Sequence, residues 1–249
     1  QTKLTEKRHG NHILPYEIQR VVSYANSIAS TPENVYNVLC NADLNFPKVK
    51  DISDNDIEIS EGSYKLIMKS GNRALRKNAF TSLYSTYGKY KNTFAALLDG
   101  NVKKDVFYCK ILKHSSCIDS VLFEENIPFS SYKMLIDTVN QNIPLLHKYM
   151  KLKKDMLGCD TMHIYDIYAP SIDNPLSYIT FDECCTLIEK ALEPLGNEYI
   201  SILSRVINSR WIDVFSHDKK SSGAYSWGVY GIHPFILLNY NGLLDDVFT

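Results

Sequence analysis

Over residues 15–211 apolar side chains recur at intervals of three and four, and from residue 223 onward they do not. Intervals of three and four put side chains on one face of an α-helix, whereas residues 223–230 alternate small, aromatic and apolar groups in the manner of a short strand. This switch of period restricts the chain to a mainly all-α fold. Antiparallel helical layers joined by short links should carry a small β-strand or hairpin region near the C-terminus, with sheet mainly within residues 222–240.

The helical part is divided by its own punctuation. Residues 15–29 form a first helix with Tyr16, Ile18, Val21, Val22, Ala25 and Ile28 on its apolar side. Thr31 caps a second, with Pro32 at its first helical position. Residues 41–56 lose the period and read as loop, and Ile57, Glu58 and Ile59 as a short extended piece. Glu61, Gly62 and Ser63 open another helix; its continuation, broken at Gly71 and Gly88, carries a stripe of Leu75, Ala79, Phe80, Leu83, Tyr84 and Tyr87. A helix over residues 101–124 should end at Asn126, Ile127 and Pro128. Ser130 or Ser131 then caps one that buries Leu135, Ile136, Val139, Ile143 and Leu146, with Pro144 kinking or splitting it. Leu157 and Gly158 fit a helix end, Pro170 and Pro175 bound a linker, and Thr180 with Glu183 makes a capping box. The helix it opens is interrupted by Pro194 and Gly196 and resumes as far as Trp211. Phe235–Tyr240 reads as a second strand closed by the turn-forming pair Asn241 and Gly242, and residues 243–249 as the start of a further helix near Asp245 or Asp246.

Several function classes lose support on composition. No apolar run reaches eighteen residues and residues 1–10 are polar, so neither a membrane span nor a secretory address is expected. The six cysteines, at 40, 109, 117, 159, 184 and 185, form no C-x-x-C pair, which suits reduced thiols in a cytosolic chain. Residues 61–114 hold eleven Lys and Arg against three Asp and Glu. These cations are spread along helices, as at Arg76, Lys77, Lys103 and Lys104, with no interleaved aromatic groove, so they read as a solvated face and no nucleic-acid partner is expected. His9 and His12 are spaced for one helical face but have Gly10 between them and no third ligand. His163 and Asp166 invite a base-and-orienter reading, yet no nucleophile accompanies them, and a structural polar pair is the simpler account. A turn-rich link separates His217 from His233, and neither is assigned to a metal.

The stretches Trp211-Ile212-Asp213, Lys220-Ser221-Ser222-Gly223-Ala224-Tyr225-Ser226-Trp227, His233-Pro234-Phe235, Leu238-Asn239-Tyr240 and Asp246-Val247-Phe248-Thr249 resemble the segment that precedes the zinc-binding helix of oligoendopeptidase F, a thimet-oligopeptidase-like zinc peptidase. Residues 71–87 (GNRALRKNAFTSLYSTY), Asn92-Thr93, Leu157-Gly158, His163, Tyr165-Asp166 and Ala169-Pro170 are similar to the same family. The family's usual Asp before Arg73 is here Asn72, which caps a helix equally well.

The resemblance implies an internal part of a cytoplasmic zinc metalloendopeptidase, ending just before the His-Glu-x-x-His helix. Residues 1–155 would wall the cleft, 156–179 cross over, and 180–249 begin the catalytic region. It implies zinc in the parent protein and oligopeptide substrates, with no catalytic residue and no metal ligand inside these 249 residues, which alone should be inactive and bind no zinc. Gly223, Ala224, Tyr225, Ser226 and Trp227 would border the cleft and pair with an extended peptide, the small residues at 223 and 224 permitting close approach. Taken without the resemblance, the same residues suit a non-catalytic helical peptide-binding or scaffold protein.

Overall fold

The computed structural model describes residues 10–51, 53–171, 178–217, 220 and 223–243. A 3-10 turn, Gly10–His12, precedes α1 (Tyr16–Ala29) and α2 (Thr31–Val38); β1 (Val49–Lys50) and β2 (Asp56–Ile57) then lead to α3 (Glu61–Met68), α4 (Arg73–Lys89) and α5 (Lys91–Ile111). They are followed by α6 (Cys117–Glu124), α7 (Phe129–Met156), a 3-10 turn at Ile164–Asp166, α8 (Phe181–Leu192) and α9 (Asn197–Asn208). Last come β3 (Ile212–Phe215), β4 (Tyr225–Trp227) and β5 (Phe235–Tyr240). The fold is mainly α. It forms two compact units, Gln1–Leu44 with Tyr87–Leu152, and Asn45–Thr86 with Lys153–Thr249.

Helix starts follow their capping chemistry. Thr180 Oγ1 accepts from the Glu183 amide while the Glu183 carboxylate accepts from the Thr180 amide, so α8 begins at the expected box. Asn72 Oδ1 accepts from the amides of Ala74 and Leu75 at 3.0 and 3.2 Å, which starts α4 as a capping Asp would. Ser60, rather than a residue of the Glu61 trio, caps α3 through a reciprocal box with Ser63. Ser30, not Thr31, is the flanking residue of α2, and α7 begins at Phe129 without waiting for Ser130 or Ser131.

The helix expected over residues 101–124 is two helices. Lys113 adopts φ +60°, its amide reaches the Lys110 carbonyl and the His114 amide reaches the Cys109 carbonyl, a left-handed closure of α5. Ser116 then caps α6 by accepting from the Asp119 amide. The same closure recurs at Asn126 and at Gly158, where the sequence had signalled it. Pro144 does not split α7, which runs unbroken for 28 residues; one missing donor leaves the flanking turns bonded. Gly88 likewise sits inside α4, and the break falls at Tyr90.

Burial departs further from expectation. In α4 the covered stripe is Leu75, Arg76, Ala79, Leu83 and Thr86, whereas Tyr84 is exposed. In α7 Leu135, Val139 and Leu146 remain 63, 56 and 52% exposed, and the apolar side of α1 is open at Tyr16, Ile18, Val21 and Ile28. A periodic stripe records which side a helix is able to bury; it does not guarantee a covering surface within the same residues. Most of the core lies in the second unit, among Val49, Ile59, Ile67, Met68, Leu75, Ala79, Leu83, Tyr165, Ala169 and Tyr240.

Two small sheets complete the described residues. β1, within the stretch read as loop, pairs antiparallel with β2, which reaches into the short extended piece expected at Ile57, around a turn in which Asp51 Oδ1 accepts from the amides of Ser53 and Asn55. The second sheet has the order β3-β5-β4, with β3 parallel and β4 antiparallel to β5. β3 lies outside the 222–240 window, because a parallel partner is supplied from across a loop and four alternating residues leave little periodic signal. Apart from Leu243, the helix start expected over 243–249 lies outside the described residues, as does His9.

Candidate functional site

β5 is the centre of the three-stranded sheet and β4 is one of its edges. The Ile236 amide donates to the Trp211 carbonyl on the β3 side at 2.9 Å. Since backbone groups of successive strand residues point to opposite sides, Phe235 and Leu237 turn theirs toward β4. Their partners across the pair are Trp227 and Tyr225, so these two bond inward and Ser226, opposite Ile236, directs its N–H and C=O to the open edge. Ala224 lies just before β4, on the trans peptide whose Gly223 carbonyl accepts from Asn239, so its N–H is directed away from that β5 side chain. The five residues singled out from sequence therefore fall on one contiguous edge: Gly223 at a bend, Ala224 leading in, and Tyr225, Ser226 and Trp227 forming β4. All five are exposed, Tyr225 and Trp227 by 57 and 63%.

Gly223 has φ +93°, a left-handed conformation that suits glycine and turns the chain into the edge. Asn239 Nδ2 donates to the Gly223 carbonyl at 2.7 Å and fixes that turn to β5. At the far end the His233 ring stacks on Trp211 with centroids 4.6 Å apart and contacts Phe235, which ties the return from β4 to the start of β3. Lys220, its side chain buried, donates to the carbonyls of Asp213 and Phe215 and pairs with the Asp213 carboxylate, holding the end of β3. Beneath β5 the Tyr240 hydroxyl donates to the Ile179 carbonyl, and the Ile179 amide donates to the Gly242 carbonyl, so the entry to α8 is tied to the sheet. Lys220 and Asn239 belong to the quoted segments, but nothing in their spacing marks them as braces; only the loop closure brings them there.

The Asp166 position carries the strongest ionic contacts of this unit. Its carboxylate, fully buried, accepts from Arg73 Nε and Nη2, from Arg76 Nη2 and from the His163 amide. Burial alone would raise this carboxyl; the hydrogen bonds from Arg73 and Arg76 and from the His163 amide outweigh it and hold the carboxyl down at about 2. His163 offers its backbone rather than its ring, which stacks on Tyr165. The structural polar partners of Asp166 are thus two arginines of α4. A carboxylate that stays ionised down to about pH 2 is not a proton acceptor near neutral pH.

Among the described residues no group of three or more His, Cys, Asp or Glu is placed to hold a metal ion. The described residues do not fit a zinc centre. No helix among them is long and apolar enough to cross a membrane.

The crystal structure of oligoendopeptidase-F from Enterococcus faecium aligns with a TM-score of 0.64 and 34% identity, covering 78% of this chain and 36% of that one. Residues 66–249 match peptidase family M3, and the chain belongs to that family. Oligopeptidase PepF of Bacillus subtilis is 40% identical over 238 residues, 96% of this chain and 36% of its own length. Group B oligopeptidase PepB of Streptococcus agalactiae is 36% identical over 96% of this chain and 39% of its own length. The chain therefore spans well under half the length of these relatives.

Proposed function

We propose that the whole protein is a cytoplasmic, zinc-dependent oligoendopeptidase that cleaves internal bonds of short peptides, and that these 249 residues supply a substrate-pairing edge but neither the metal nor the catalytic groups. Membership of family M3 and the names of the relatives support the peptidase reading. The single observation that supports the edge is the outward direction of the main-chain groups of Ser226 on a strand with one bonded neighbour among the described residues, with Ala224 leading into it. An extended peptide added there would gain main-chain hydrogen bonds independent of its side chains, giving broad sequence tolerance. Residues 1–155 would wall the cleft of the whole enzyme. Alone, the 249 residues should take up no stoichiometric zinc and hydrolyse no peptide; metal analysis with a fluorogenic peptide assay checks both.

The direction of the amides dictates the test of the edge. Ala224→Pro in the whole protein removes an outward donor and leaves the β4–β5 bonds in place, whereas Tyr225→Pro removes an inward donor and should damage the fold. A lost pairing bond is worth about 1 kcal/mol net, or roughly 1–3 if its partner is left buried, so Ala224→Pro should lower kcat/KM several-fold while Ala224→Ser changes little. Circular dichroism and zinc content must match the parent first. Parental kinetics for a folded, zinc-loaded Ala224→Pro protein across several peptides would reduce the edge to a structural hairpin. A whole protein that cleaves no peptide would instead leave the helical scaffold reading.

A further inference from the structure

In the first unit His12 and His114 lie ring on ring, with centroids 4.0 Å apart and planes 7° from parallel, and Phe123 packs against both. His12 Nδ1 donates to the Leu112 carbonyl at 2.7 Å, which ties the Gly10–His12 turn to the corner between α5 and α6. His114 is fixed from behind, its amide bonded to the Cys109 carbonyl and its own carbonyl accepting from the Cys109 thiol. Its side chain is only 4% exposed, and Nδ1 is buried without a hydrogen-bond partner. A buried imidazole nitrogen left unpaired is tolerable while the ring is neutral and costly once it carries a proton.

We propose that the His12–His114 stack is a proton-operated clasp that holds the Gly10–His12 turn on the α5–α6 corner near neutral pH and releases it on acidification. Protonating both rings places two cations face to face at 4.0 Å. The groups available to offset them are few. Asp119 of α6 stands 3.7 Å from His114 Nδ1, but its Oδ2 already accepts from the Ser115 amide and hydroxyl, and its side chain is about half exposed. Glu124 of α6 adds a weaker attraction, and Cys109 of α5, its thiol pushed up by burial, borders the site with Cys117 and Lys110 beside it. Burial, then the neighbouring His12, lowers the proton affinity of His114 from its ordinary 6.5 against the pull of Asp119. The folded state thus prefers the neutral ring. Stability from the clasp is present above about pH 6.5 and is lost as pH falls below it, because the released state takes up the proton more readily.

Hydrogen exchange of the full chain, corrected for intrinsic rates, tests this at the amides of residues 113 and 114, which are bonded to the Lys110 and Cys109 carbonyls at the corner where the turn is clasped. Their protection should fall between about pH 7.5 and about pH 5.5, by up to about tenfold per pH unit for one proton taken up. His114→Phe keeps a ring in the stack and removes the buried site of protonation, so its protection should stay level over the same range. Asp119→Asn keeps an acceptor for Ser115 but removes the offsetting charge, so its loss of protection should begin at the same pH and then, followed to about pH 4.5, run deeper and to lower pH than the parent's, since the folded clasp tolerates its proton less well. Equal wild-type protection at both pH values overturns the proposal, as does an Asp119→Asn profile that levels off at the same pH and depth as the wild type's. Should His114→Phe fail to fold, the Asp119→Asn profile still decides.

Discussion

Replacing Asp166 by Asn tests the ionic node that joins α4 to the Ile164–Asp166 turn. The carboxyl is held at about 2 against an ordinary 3.8, a difference worth about 2 kcal/mol of folding stability. A neutral amide in its place would also leave Arg76, 3% exposed, without its balancing charge, and breaking one side of a buried pair costs roughly 3–5 kcal/mol. The sign with pH is fixed by the downward shift: the stabilisation is present above 3.8 and is lost as pH falls through about 2. Both tryptophans, Trp211 and Trp227, belong to the same unit as Asp166, so urea unfolding followed by tryptophan fluorescence reports on the affected part. Asp166→Asn should unfold at markedly lower urea near neutral pH, and the gap should narrow on approach to about pH 2. A neutral-pH difference under about 1 kcal/mol, or a gap independent of pH, would refute the assignment of the node as a net stabilising ion cluster.

Three further substitutions follow from local geometry. Asn72→Ala should cost about 1 kcal/mol by freeing the amides of Ala74 and Leu75, while Asn72→Asp should keep or slightly raise stability; thermal melts compare them. Lys113→Gly should stabilise the α5 terminus by about 0.5–1 kcal/mol, because lysine there sits at φ +60°, and a lower urea midpoint than the parent would contradict it. Gly242→Ala should destabilise the second unit by at least about 1 kcal/mol, since φ is +76° and the added methyl would collide with the Tyr178 ring; an unchanged melting curve refutes that contact.

The helices were legible wherever a side chain announces its own role. Thr180 with Glu183, Asn72, Gly158, Pro194 and Gly196 each act through bonds to residues within a few positions, so their effect is written locally. The break between α5 and α6 was not legible, because Lys113 takes a conformation that glycine usually marks. β5 was read to the residue, while β3 was missed: its identity as a strand depends on Ile236 and Leu237 arriving beside it from across the chain. At the candidate site the exposed run Gly223, Ala224, Tyr225, Ser226 and Trp227 could be picked out, but not which of its amides face outward. That follows from the register of β4 on β5 and the bond from Ile236 to Trp211. Likewise Asp166 was paired with His163 by nearness in sequence, when two arginines some ninety positions away hold it.

The brevity of β4 also governs how this protein behaves at high concentration. An exposed edge flanked by Tyr225 and Trp227 is a template on which a second copy could add its own strand, and long flat edges of that kind lead to aggregation. Here the strand is three residues long, begins after the left-handed bend at Gly223 and ends before the turn around Gly231. Ser226 is the sole residue within β4 that turns its backbone groups outward, so a copy docking edge to edge gains few bonds and no extended register. Truncating the edge in this way limits self-association, and lengthening it through the Gly223 bend would be expected to produce a self-pairing chain.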